Sequence, residues 1–118
     1  MPYEWGRLSS LQYLDMSNTK LIGRIPIEFG QLGNLLELRL HNSPFSGKVP
    51  RSFMNLLNLR RLDLRHCKLE GKPLHLCACK ALTYCDISDN KFDRAALLAK
   101  HEWMVSLLPK CDAAKLLV

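Results

Sequence analysis

The sequence predicts an α/β solenoid: about four short parallel strands stacked side by side, backed by return segments and closed by a C-terminal capping helix. Three observations predict it. The chain repeats itself at an offset of 24 residues, and each repeat carries the spacing L-x-x-L-x-L. Glycine and proline also recur in step, Gly23, Gly47 and Gly71 being followed by Pro26, Pro50 and Pro73, at a regularity that a Leu-rich amphipathic helix would not tolerate.

The first repeat boundary falls inside the first ten residues. Pro2, Glu4, Trp5, Gly6 and Leu8 align with Pro26, Glu28, Phe29, Gly30 and Leu32. Leu11, Leu14, Met16, Leu21, Gly23, Ile25 and Pro26 then match Leu35, Leu38, Leu40, Phe45, Gly47, Val49 and Pro50. Leu59, Leu62, Leu64, Leu69 and Gly71 follow, and Pro73 arrives one residue early, which shortens that unit by one. A last pass, Leu82, Cys85, Ile87, Asn90 and Phe92, keeps the spacing but puts Arg94 where Gly is expected. The units are therefore 1–7 (partial), 8–31, 32–55, 56–78 and 79–93 (partial).

Each L-x-x-L-x-L encodes a strand with alternate residues inward, and such a strand cannot bury its apolar side alone. Stacked copies give a parallel sheet with a continuous core behind it. Thr19, Ser43, Cys67 and Asn90 fall where the chain leaves each strand and its backbone groups lack sheet partners, a place that suits a small or hydrogen-bonding side chain. After Phe92 the register stops. Asp93 is a candidate N-cap, and Leu97, Leu98, Met104, Val105 and Leu108 lie on one side of a helix that Pro109 ends, so residues 94–118 read as a helical cap.

These residues carry a resemblance. The unit L-x-x-L-x-x-L-x-L-x-x-N-x-L-x-G-x-I-P, filled over residues 1 to 93 and marked by Gly23 to Pro26 and Gly47 to Pro50, resembles the plant-type leucine-rich repeat of receptor-like ectodomains. Ser17, Asn18 and Thr19 with the P-x-E-W/F-G piece are also similar to the repeats of kinetoplastid surface antigens. The resemblance implies partner binding and a cell-surface or secreted protein. Thr19 and Cys67 at the usual Asn position and the absence of an N-x-S/T sequon depart from it.

Composition narrows the class. At 118 residues, 47% hydrophobic, with six Gly and six Pro, the chain reads as one small folded domain, not a disordered or collagen-like one. Lys plus Arg number 17 against 11 Asp plus Glu, a formal charge of +6. No apolar run reaches the ~18 residues of a membrane span, and the Trp, Pro and Glu of residues 1–7 interrupt any export signal. Five cysteines, Cys67, Cys77, Cys79, Cys85 and Cys111, are an odd count that favours reduced thiols, or one pair and spares, and with them an intracellular setting.

Chemistry is mostly absent. There is no phosphate-binding P-loop, nucleophile elbow, H-E-x-x-H or acidic calcium loop, and no cofactor is implied. Gly30 to Gly33 satisfies a bare G-x-x-G, but Leu32 is a core repeat position. His101 and Glu102 lack the second His of a metalloprotease. Cys77 and Cys79 with His75 and Cys85 suggest zinc, yet Cys79 and Cys85 occupy the places of Leu56 and Leu62 and are expected to be buried as small apolar residues. Asp15, Asp63 and Asp86 read as one exposed column.

What remains is the outward face of the sheet, expected to be concave: Tyr13, Asp15 and Ser17; Glu37, Arg39 and His41; Arg61, Asp63 and Arg65; Tyr84, Asp86 and Ser88. Tyr and Arg are the side chains that most often anchor interfaces, so Tyr13, Glu37, Arg39, His41, Arg61, Asp63, Arg65, Tyr84 and Asp86 are the candidate partner-binding residues. Arg39, His41, Arg60, Arg61, Arg65 and His66 concentrate positive charge near the centre. The expected function is non-catalytic recognition of a protein partner, acidic in character. The alternative is an anionic polymer, nucleic acid or acidic glycan, held by the arginine cluster, although Tyr13 and Tyr84 flank that cluster instead of punctuating it. The strand at Tyr13 to Ser17 has only the stub around Trp5 before it, so self-association through this edge is also expected.

Overall fold

A computed structural model of the chain describes residues 9–71, 76 and 79–93. The expected helix over 94–108, Trp5 with its stub, His75, Cys77 and Cys111 lie outside the described residues. Within them the chain coils as a solenoid. Strands β1 (Tyr13–Asp15), β3 (Glu37–Arg39), β5 (Arg61–Asp63) and β7 (Tyr84–Asp86) form one parallel sheet in that order. They alternate along the chain with β2 (Gly23–Arg24), β4 (Phe45–Lys48), β6 (Lys68–Gly71) and β8 (Lys91–Phe92), which form a second parallel sheet.

The first sheet is the one the repeat predicts. Tyr13 pairs with Glu37, Glu37 with Arg61 and Arg61 with Tyr84, and the inward row is Leu14, Leu38, Leu62 and Cys85. Leu38 and Leu62 are fully buried and Cys85 is 1% exposed, so a cysteine does take the place of the repeat leucine. Cys79 is likewise fully buried, at the place of Leu56.

The second sheet was not expected, since the repeat spacing predicts one strand per unit. Its strands are two to four residues long and three of the four contain glycine, so they give no stretch of alternation to read. What makes them extended is packing: Ile25, Phe45, Val49, Leu69 and Phe92 turn into the same core cluster as Leu38 and Leu62. Between β2 and β3, and again between β4 and β5, a 3-10 turn follows the repeat proline, at Ile27–Gln31 and Arg51–Asn55, and buries Phe29 and Phe53. Proline fits there because it has no N–H to lose and its φ suits the start of a helical turn.

The ladder positions behave as their chemistry requires. Asn90 donates to the carbonyls of Leu64 at 2.7 Å and Ser88 at 3.0 Å and accepts the Leu69 N–H at 3.1 Å. Ser43 Oγ donates to the Met16 carbonyl at 3.1 Å and receives the Thr19 N–H and hydroxyl at 3.1 and 3.2 Å. Cys67 Sγ reaches the Leu40 carbonyl at 3.1 Å, a weaker bond from a poorer donor. Burial pushes the Cys67 thiol pKa up. One residue earlier, Asn18, Asn42, His66 and Asp89 all have φ between 54° and 56°, a left-handed conformation at the same point of every coil. Asn and Asp tolerate it best because their short polar side chains bond locally.

Candidate functional site

The outward side chains of β1, β3, β5 and β7 and of the residues just after them form the candidate site. Register sets them in rows. Tyr13, Glu37, Arg61 and Tyr84 stand side by side, and Asp15, Arg39, Asp63 and Asp86 form the next row, two residues on and so on the same side.

The charges in these rows are tied to one another. Glu37 Oε1 accepts a hydrogen bond from Arg39 at 2.9 Å and forms an ion pair with Arg61 Nε, also at 2.9 Å, so one carboxylate pairs with two guanidinium groups. The carboxylate bonded to Arg39 raises the Arg39 pKa further still. Arg61 lies over the Tyr84 ring, 4.6 Å from its centroid, in cation–π geometry. Arg65 Nε is 3.5 Å from Asp63 Oδ2. Around them Leu38, His41 and Asp63 line a dimple of about 150 Å³, with Arg39, Arg61 and Tyr84 at its walls.

Three expected surface residues are not on the surface. His41 is 9%, Asp63 8% and Asp86 3% exposed. The exposed aspartate column is therefore limited to Asp15. Asp63 Oδ1 accepts the Arg65 N–H at 3.2 Å, and Asp86 Oδ1 accepts the Ser88 N–H at 3.1 Å together with its hydroxyl. Each carboxylate turns back to its own chain two residues on, stabilising the strand exit in place of reaching outward. His41 Nδ1 sits 3.3 Å from Asp63 Oδ2 but without hydrogen-bond alignment, and the atom is buried with no hydrogen-bond partner. We read the contact as proximity, ionic only when the imidazole is protonated.

The face is also less basic than the sequence implies. Arg39, Arg61 and Arg65 stand among Asp15, Glu37, Asp63 and Asp86, and each arginine contacts a carboxylate. Tyr13, 63% exposed, is the open end of the first row, while Tyr84 is half-buried under Arg61. Among the described residues no group of three His, Cys, Asp or Glu could hold a metal ion, and no helix is long and apolar enough to cross a membrane.

With the coil, the two sheets and this face in view, comparison with known proteins gives the class. The Leucine Rich Repeat family model matches residues 10–32, 34–56 and 58–79, more than half of the chain. The chain belongs to the leucine-rich repeat family. No curated protein matches it as a relative. Among solved structures it is similar to the plant peptide hormone receptor RGFR1 in complex with RGF2, at 31% identity and TM-score 0.75 over 78% of this chain and 15% of that one. The ectodomain of the receptor kinase SOBIR1 from Arabidopsis thaliana matches at 32% identity and TM-score 0.76, over 79% of this chain and 51% of that one. A plant ice-binding protein matches at 35% identity and TM-score 0.73, over 77% of this chain and 30% of that one. The chain thus spans at most about half the length of these neighbours.

Proposed function

We propose that this protein is a non-catalytic recognition module that binds a protein or peptide partner on the outward face of its first sheet. The ice-binding neighbour shows that the fold by itself does not choose a function, so the side chains must. The observation that carries the reading is the row Tyr13, Glu37, Arg61, Tyr84, in which one carboxylate and one aromatic ring hold the guanidinium in place. Fixing these side chains before binding lowers the entropy lost on contact, and Arg and Tyr are the usual anchors of protein interfaces. Two neighbours support it by what they are described as, a peptide hormone receptor bound to RGF2 and the receptor kinase HAESA bound to the peptide hormone IDA and the co-receptor SERK1.

The anionic-polymer alternative is weakened at this face, because its arginines already meet Glu37 and Asp63. Selecting peptides from a random display library on the full chain, then mapping a selected peptide by amide shift perturbation, tests the proposal. Shifts centred on Tyr13, Arg39, Arg61 and Tyr84 are expected. Binders that perturb only residues outside β1, β3, β5 and β7 would overturn it.

A further inference from the structure

The charge that the first sheet does not display lies on the second. Arg24 pairs with Ser46 and Ser46 with Lys68, while Lys48 pairs with Glu70 and Glu70 with Lys91. Two residues separate the rows along each strand, so both rows share one side, and Arg24, Lys48, Lys68, Glu70 and Lys91 are all exposed. Four cations and one carboxylate thus occupy a strip four strands wide, about 15 Å at the usual strand spacing. Among the described residues none of the five makes an ion pair.

The cations are also placed. Gly47 and Gly71 have φ of 76° and 79°, and a Cβ on Gly47 would come 3.1 Å from Arg24 Cγ, one on Gly71 3.1 Å from Lys48 Cγ. The aliphatic stems of Arg24 and Lys48 therefore lie flat across glycine backbone, which directs their charged ends along the sheet. Beside them is an open cleft of about 430 Å³ lined by Arg24, Lys48 and Arg51, with Glu70 and with Ile27, 66% exposed. A second groove of about 600 Å³ is lined by Pro44, His66, Lys68 and Lys91 together with the carboxylate of Asp89.

We propose that the second sheet is a separate docking surface for an acidic protein segment that also carries an apolar side chain. Charge complementarity selects the acid, and the exposed Ile27 in the cleft offers contact to an apolar residue next to it. Two features argue against a uniform polyanion. Glu70 stands in the middle of the strip, where an unbroken row of phosphates or carboxylates would meet it. The cleft beside Arg24 and Lys48 has no aromatic side chain on which bases could stack, and the groove beyond it has the single ring of His66. The acidic partner expected from the sequence is thereby assigned to the face opposite in character to the arginine rows.

Fluorescence anisotropy with the full chain and a labelled twelve-residue peptide of repeated Asp-Glu-Leu tests the assignment. Binding should weaken as salt rises and fall by about tenfold or more in the variant Arg24→Glu, Lys48→Glu, Lys68→Glu. The milder Arg24→Gln, Lys48→Gln pair, checked for an unchanged melting curve, should lose part of it. Arg39→Gln, Arg61→Gln, Arg65→Gln should bind the peptide as the parent does, so failure here leaves the first-sheet reading untouched. The proposal is overturned if the second-sheet variants bind normally, if the first-sheet variant loses the peptide, or if heparin or an oligo-dT strand binds more tightly than the peptide. An Asp-Glu peptide without Leu that binds equally well overturns the apolar component.

Discussion

The two sheets come from the same repeats, and they differ in register and in what their outward side chains do. In the first, Tyr13 pairs with Glu37, 24 residues on, in step with the repeat. In the second, Gly23 pairs with Phe45 and Gly47 with Leu69, 22 residues on. A slip of two residues keeps every side chain on its own side, so the core is unharmed, yet it brings Arg24 beside Gly47 and Lys48 beside Gly71. The first sheet is covered by charges paired with one another, and the second by cations that make no ion pair among the described residues. Ion pairing among outward side chains is therefore divided unevenly between faces made of one motif.

The largest effect that would break this comparison lies beneath both faces. Leu62 is fully buried in the row Leu14, Leu38, Leu62, Cys85 and shares its cluster with Leu69 behind the second sheet. Leu62→Ala should cost about 2 to 5 kcal/mol through the cavity it leaves, and Leu69→Ala a similar amount. Urea unfolding curves followed by circular dichroism measure both. If one costs far less than the other, the sheets do not share a single core. Next comes the strand exit: Asn90→Ala strands the Leu64 carbonyl and the Leu69 N–H and should cost about 1 to 3 kcal/mol. The same substitution at Cys67, whose thiol is a weak donor, should cost less, and an equal loss would remove the hydrogen bonds as the reason.

A smaller effect separates the faces themselves. Arg61→Ala removes the contacts to Glu37 and Tyr84 and, discounted for its exposure to solvent, should cost roughly 0.5 to 1 kcal/mol. Lys68→Ala removes no ion pair among the described residues and should fall within measurement error. Equal losses at the two sites in thermal melts would erase the distinction drawn here.

Much of this architecture is legible in the sequence because leucine spacing is a statement about which side of a strand faces the core. The stack Leu38, Leu62, Cys85 and the ladder Ser43, Cys67, Asn90 follow from position alone. The second sheet does not, since Gly23–Arg24 and Lys91–Phe92 are too short to alternate, and their pairing depends on neighbours 21 or 22 residues away. Burial of His41, Asp63 and Asp86 is also hidden from the sequence. Alternation places them outward. Asp15 makes the same bond back to its strand exit and stays exposed, so the burial depends on what stands beside each residue in the sheet and not on its own segment. The sequence does carry one signal of the strand exit: Asn18, Asn42, His66 and Asp89 recur just before the ladder residue, and three of the four are types that favour a left-handed backbone.

The smallest effect concerns Asp15, the one aspartate of its column that stays exposed. The Ser17 hydroxyl, and after it the Ser17 N–H at 2.9 Å, hold the Asp15 carboxyl below its ordinary pKa. A carboxyl whose folded pKa is depressed contributes stability that is fully present above the unfolded value and is lost as pH falls through the folded one. Asp15 should therefore release its hold on Ser17 only in acid, at a pH beneath the usual carboxylate range. Ser17→Ala removes the larger of the two causes and leaves the amide. The Asp15 pKa should then rise toward the ordinary value, which an NMR titration of its carboxyl carbon reads directly, while stability at neutral pH changes by no more than about 0.5 kcal/mol. An unmoved Asp15 titration in that variant would mean that the hydroxyl bond does not form in solution, and that the edge strand β1 lacks the side-chain turn that closes β7 through Asp86 and Ser88.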